Sequence, residues 1–245
     1  FHLMTSHRFE RQPSQQTPEL HRVPLERVVL RAKRLFPDEG AADTLGTLPE
    51  PPNPTPIRSA VLTRVSLGAL SPAAAGAVPP QPHERITPLG SHLALLPLDV
   101  RVGKLLLLGH LLGCADASLT LAASLSCRSP FVAPFGQRVQ ADEARRKLTY
   151  KGSDHLTLLH VYQSWAALAS AKERRLYCEE NFLSFKGMEL IRSTRTELAN
   201  ALARIGIRQE TIAAAAPREA LRALLVSALW PRISKVEPVG GKGDG

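Results

Sequence analysis

A mainly α-helical fold is predicted for this 245-residue chain by three observations. Apolar residues recur at helical spacing in one segment after another. Aromatic residues make up only 5% of the chain, so the core is left to Leu, Ala and Val, which favours helices over a sheet-rich fold. Prolines gather between the periodic stretches, at residues 49–56 and 71–83, where they mark loops.

The elements follow in order. The opening residues, FHLMTSHRFE, have an extended, alternating look and no starting methionine, as in a fragment or an incomplete gene product. Residues 24–36 read as an amphipathic helix with Leu25, Val28, Val29 and Leu35 on one side. Residues 37–56 carry Pro49, Pro51, Pro52, Pro54 and Pro56 and are expected to form a loop. The helical period resumes over 57–70 through Ile57, Val61, Val65 and Leu70, and 71–83 is a low-complexity surface insertion. Thr87 before Pro88 is a helix-start signal, a capping hydroxyl followed by a first-turn proline. Leu89, Leu93 and Leu96 line that short helix and Pro97 stops it. A second helix buries Leu98, Val102, Leu105, Leu106, Leu108 and Leu112 and ends at Gly113. A third spans 116–126, with Leu119, Leu121, Ala122 and Leu125 packed. Residues 132–153 are polar and basic, and a loop is expected there. Behind the Ser153 cap, a helix over 154–169 buries Leu156, Leu159, Tyr162 and Trp165. The stretch 182–205 is long and amphipathic through Met188, Ile191, Leu198 and Leu202. A last helix over 217–229 uses Leu221, Leu224, Leu225 and Leu229.

A net charge of +9 and a pI near 9.9 point to an acidic partner, nucleic acid ahead of a membrane surface. Cys114, Cys127 and Cys178 form no CxxC pair and no metal-ligand rhythm, so reduced, buried thiols of an intracellular protein are expected. The N-terminus lacks the apolar run and cleavage site of a signal peptide. Residues 105–125 are the one stretch long enough to be weighed as a membrane span. They contain His110 and Asp116 with Lys104 at the edge, which favours a core helix pair.

Over residues 87–131 the words TPLGSHLALLPLDVRVGKLLLLG, GC, LTLAASLS and RSPF stand in a set order. This run resembles the junction of the winged-helix and helical-bundle ("ratchet") parts of DEAH-box (DExH) RNA helicases. SDHLTLLHVYQSW, YCEENFLSFKGMELIRSTRTEL and ALWPRISKV extend the likeness to nearly the whole chain. The resemblance implies the tail of a second RecA-like motor domain over 1–23, and a degenerate winged helix over 24–97 with the 71–83 insertion at its hairpin. It implies a helical-bundle domain over 98–229 and the truncated start of an OB-fold over 230–245. The parent would be an ATP-dependent 3′-to-5′ RNA helicase, and this section would brace the motor domains and line the single-stranded RNA channel. Implied partners are single-stranded RNA of any sequence, the helicase's own RecA-like domains and protein activators through the OB-fold region, with no membrane. ATP and Mg belong to the parent's motor domains, and neither cofactor nor metal is expected in this chain. The implied compartment is cytoplasmic or nuclear.

On their own terms the residues offer little catalytic chemistry. A phosphate-binding loop needs GxxxxGK[ST], whose amides wrap the phosphate while Lys neutralises it. Gly103-Lys104 is followed by Leu105 and Gly241-Lys242 by Gly243, and there is no DExH tetrapeptide, so no ATPase site is read. Asp154-His155 fits a helix start better than acid–base chemistry. His155 and His160 do not share a face as metal ligands would, and Glu179-Glu180 reads as a solvated pair. Candidate RNA contacts are Arg128, Arg145, Arg146, Lys147, Lys151, Lys186, Arg192 and Arg195, because Lys and Arg set affinity through phosphates without reading sequence. For each, the alternative is a solvated surface, and for Arg192 and Arg195 a salt bridge with Glu189 or Glu197. Tyr162 and Trp165 are weighed as base stackers and preferred as core. The chain alone is expected to hydrolyse no ATP and to bind RNA weakly. A non-catalytic protein-interaction scaffold is the second reading. A DNA-binding winged helix is disfavoured, since the 57–70 helix offers a groove only Arg58 and Arg64.

Overall fold

The computed structural model describes residues 3–13, 15–74, 83–207 and 217–233. Among them it is mainly helical, with twelve α-helices and one two-stranded ribbon. The chain divides into two compact units, Phe1–Ala94 and Leu95–Gly245.

In the first unit α1 (Ser6–Glu10) precedes α2 (Leu25–Leu35), α3 (Ala41–Gly46) and α4 (Pro54–Ser66). β1 (Leu70–Ser71), β2 (Arg85–Ile86) and α5 (Pro88–Leu95) follow. The strands are antiparallel, with Leu70 opposite Ile86 and Ser71 opposite Arg85. Three helices followed by a small hairpin give the order of a winged helix with a two-residue wing. Val29, Leu30, Ile57 and Ala60 are buried in its core. The buried Arg64 ties α4 to α2 by donating from Nε to Glu26 O at 3.2 Å. Lys33 is fully buried, and its ammonium donates to the carbonyls of Pro37 (3.1 Å) and Glu39. Burial lowers the Lys33 pKa against the opposing pull of Glu84 and Asp38. Thr87 caps α5 as the sequence predicts, accepting from Gly90 N at 3.0 Å and donating to Gly68 O at 2.7 Å. Gly90 is required here, because a Cβ would strike the carbonyl of Ala69.

The second unit is a bundle of α6 (Val100–Leu111), α7 (Ala115–Ser126), α8 (Arg138–Leu148), α9 (Asp154–Ala166), α10 (Ala171–Glu180), α11 (Phe185–Arg204) and α12 (Arg218–Leu229). Asp99 caps α6 by accepting from Arg101 N at 2.8 Å, and Gly113 leaves the helix at φ +69°. α7 is the central element: residues 117–124 are all buried, against α6, α9 and α11. Trp165 on α9 is completely buried, and Met188 and Ile191 on α11 nearly so.

Several expectations need correction. The segment 132–153 contains α8, not only loop; Ala141 is its one buried residue, so it has no apolar stripe to betray a helix. α3 and α10 are likewise additions to the expected elements. The helix expected over 57–70 starts at Pro54, where a proline is tolerated in the first turn, and stops at Ser66, so Leu70 enters a strand. Leu35 and Leu112, expected inside, are 73% and 54% exposed, each at a helix end where the apolar face has run past its partners. Residues 6–10 are helical rather than extended. The expected OB-fold start falls mostly on 234–245, outside the described residues, as does 75–82 of the insertion. Among the described residues, no helix is long and apolar enough to cross a membrane.

Candidate nucleic-acid interface

A short stitch organises the basic face of the second unit. Val132 N donates to Phe182 O (2.9 Å), Ser184 N donates to Pro130 O (2.7 Å), and Phe131 pairs with Leu183. Phe182 takes φ +52° to turn the chain from α10 into α11, and Ser184 then caps α11 by accepting from Gly187 N at 3.1 Å.

The stitch gathers cations from three separate parts of the chain. Arg128 lies two residues before Pro130, and Lys186 two residues after Ser184. Arg145 on α8 lies over the Phe131 ring at 4.9 Å and reaches Asp154 at 3.3 Å. Arg175 on α10, not foreseen, lies over Phe185 at 4.4 Å. The spacing Ser170-x-x-Glu173 was the signal that could have revealed α10: both side chains form the reciprocal capping box. Arg146 and Lys147 extend along α8, and Lys151 stands in the α8–α9 turn at φ +54°. Arg128, Arg146, Lys147, Lys151 and Lys186 are all exposed and make no ion pair among the described residues.

Arg192 and Arg195 differ from these five and from each other. Arg192 is half exposed and paired with Glu189 at 2.8 Å, one of the two acids expected for it. The Arg195 side chain is only 19% exposed, and its partner is Asp116 on α7. It donates to the Asp116 carboxylate at 2.6 Å, to the Asp116 carbonyl at 2.9 Å and to the buried hydroxyl of Thr120. Its guanidinium also lies 5.3 Å from the centre of the Tyr162 ring on α9. Arg195 therefore joins three helices. Burial raises the Tyr162 pKa, and the nearby Arg195 and Arg192 charges oppose the rise.

The remaining sequence candidates resolve as structural parts. Tyr162 and Trp165 are core residues. Asp154 opens α9 and meets Arg145, while His160 stacks on Tyr150 with ring centres 5.0 Å apart. Glu179 and Glu180 are exposed at the end of α10. Gly103-Lys104 is helix interior: Gly103 N already donates to Asp99 O at 2.8 Å, so its amide is not free to wrap a phosphate. Gly241-Lys242 lies outside the described residues. No cluster of three or more His, Cys, Asp or Glu that could hold a metal occurs among the described residues. Cys114 and Cys178 are buried free thiols, and burial pushes the Cys178 pKa up to about 11 against the pull of the Trp165 N–H. In the first unit Arg64 is buried and Arg58 exposed, so α4 has little to place in a groove.

Comparison with known proteins matches residues 65–98 to a family described as "Helicase associated domain (HA2), winged-helix". Residues 99–158 match "Helicase associated domain (HA2), ratchet-like". The mouse "Putative ATP-dependent RNA helicase DHX57" is 35% identical over 99% of this chain, which spans 19% of that protein. The Xenopus laevis "ATP-dependent RNA helicase dhx29" is 36% identical over 81% of the chain, which covers 14% of it. The bovine "ATP-dependent DNA/RNA helicase DHX36" is 32% identical over 99% of the chain, which covers 24% of it. The chain thus spans between a seventh and a quarter of these relatives.

Proposed function

Because the chain belongs to the DEAH-box RNA helicases as their helicase-associated winged-helix and ratchet-like region, we propose that it forms one wall of the passage for single-stranded RNA. Its work is mechanical. The winged helix braces the RecA-like motor domains, and the bundle holds the strand by its phosphates while those domains close and reopen. ATP and Mg are assigned to the motor domains, since the one glycine–lysine pair among the described residues lies inside α6. The observation that carries the reading is the set of five exposed cations beside the stitch, on α8 and in the α8–α9 turn, which make no ion pair among the described residues. Their contacts are to phosphate, so they tolerate any base sequence. Arg192 joins them at reduced strength, because Glu189 already neutralises part of its charge. Arg195 serves the bundle.

The test is binding of a fluorescein-labelled oligouridylate to the chain by anisotropy over a salt series. Affinity should fall steeply with salt, as it does when condensed counterions are released. Arg146→Ala, Lys147→Ala and Lys186→Ala together should flatten the log–log slope by about 2, at about 0.7 for each phosphate no longer neutralised. Salt-insensitive binding, or no binding at low salt, defeats the proposal. A captured protein partner with no RNA affinity would favour the scaffold instead.

A further inference from the structure

Resting on the RNA reading above, we infer that the Tyr150–His160 ring pair is a base-stacking subsite for single-stranded RNA. Four of the bundle's other aromatic rings are committed elsewhere, and Phe135 and Trp230, though exposed, stack on no second ring among the described residues. Trp165 and Tyr162 are buried, Phe131 is covered by Arg145, and Phe185 sits between the edge of Trp165 and Arg175. Tyr150 is 37% exposed and His160 is exposed as well, and their planes lie 22° apart. Stacked on each other, the two rings cover each other's inner faces, and the surface they offer a base is an outer face of this two-ring stack.

The backbone holds this platform in place. Tyr150 N donates to the hydroxyl of Thr157 at 2.9 Å, and that buried hydroxyl donates in turn to Ser153 O at 2.8 Å. Tyr150 O accepts from Ser153 N at 3.2 Å, and Lys151 and Gly152 close the turn at φ +54° and +67°. A ring fixed by its own turn loses little freedom when a base lands on it.

The surrounding charge selects the ligand. Arg145, Arg146, Lys147 and Lys151 flank Tyr150; of the nearby carboxylates Asp154 is already paired with Arg145, and Asp142 and Glu143 lie one turn back on α8, which leaves the segment 142–154 net positive. A flat π-face beside unpaired cations matches a nucleotide, which presents a base and a phosphate a few ångströms apart. In a duplex the base faces are covered by their neighbours, so the ligand is a single strand.

The test uses the whole chain and an oligonucleotide carrying 2-aminopurine, whose fluorescence is quenched on stacking. Tyr150→Leu and, separately, His160→Ala should each weaken binding about fivefold to a hundredfold, the usual range when one stacking partner is removed. Quenching should be lost as well, with the salt slope unchanged, and Tyr150→Phe should restore both. His160 is exposed, so its variant keeps the proposal falsifiable if Tyr150→Leu misfolds. If either folded variant keeps wild-type affinity and quenching while RNA binds through the cations, the platform is wrong and the RNA reading stands. If the wild-type chain binds no RNA, both fail together.

Discussion

Arg195 gives the sharpest prediction, because its environment separates a bundle strut from an RNA contact. Arg195→Ala removes two hydrogen bonds to Asp116, one to the Thr120 hydroxyl, and a cation lying 5.3 Å over the Tyr162 ring. The Asp116 side chain is 64% exposed, so the ion pair itself contributes about 1 kcal/mol at most. Thr120 is fully buried, yet its hydroxyl also donates to the Asp116 carbonyl at 3.2 Å and is not orphaned. That bond with Arg195 contributes about 1 kcal/mol, and the cation–π contact about 0.5–1 kcal/mol. A loss of about 2–3 kcal/mol is therefore expected in urea unfolding followed by circular dichroism. Asp116→Asn keeps the carbonyl and ring contacts and should lose less than about 1 kcal/mol. In strong salt the Asp116 share should vanish while the Thr120 and Tyr162 shares persist. Two results would refute the reasoning. One is an Arg195→Ala loss no larger than that of Asp116→Asn. The other is unchanged stability with a collapse of RNA affinity, which would mean that the guanidinium serves the strand.

Two more outcomes are expected elsewhere in the bundle. Gly109→Ala would drive a Cβ into Ser118 and within 3.3 Å of the Leu224 side chain, where α6 meets α7 and α12. A loss of about 3 kcal/mol is expected, as for overpacked cores; an unfolding midpoint equal to wild type would show that the helices can separate at little cost. The Cys178 thiol, raised from 9.0 to about 11 by burial, favours the neutral form in the folded chain. That contribution is complete below pH 9 and is lost as pH rises toward 11, because the unfolded thiol ionises first. Cys178→Ala should therefore lose less stability between about pH 8.5 and 11 than wild type, and parallel losses would contradict the assignment.

Elements were legible in the sequence wherever one face of a helix is buried. α9 and α11 bury apolar residues at helical spacing, and that burial is itself what the spacing records, whereas α6 and α7 are buried on nearly all sides and read as long apolar runs. The caps at Thr87 and Ser153 were legible for a local reason, since a hydroxyl bonds an amide three residues on. α8 was not, because a helix with one buried residue carries no periodic signal, and its basic composition reads equally well as loop.

By itself the sequence determined the helical class, the family likeness and the stock of cations. It left open which cations are free and which aromatics are exposed. Those depend on partners far along the chain: Arg195 meets Asp116 79 positions away, and the 130–132 strand fragment meets 182–184. Local propensity and periodicity act within a few residues and cannot encode such pairings. Only the packed bundle turned Arg195 inward and left Lys186, Tyr150 and His160 facing solvent.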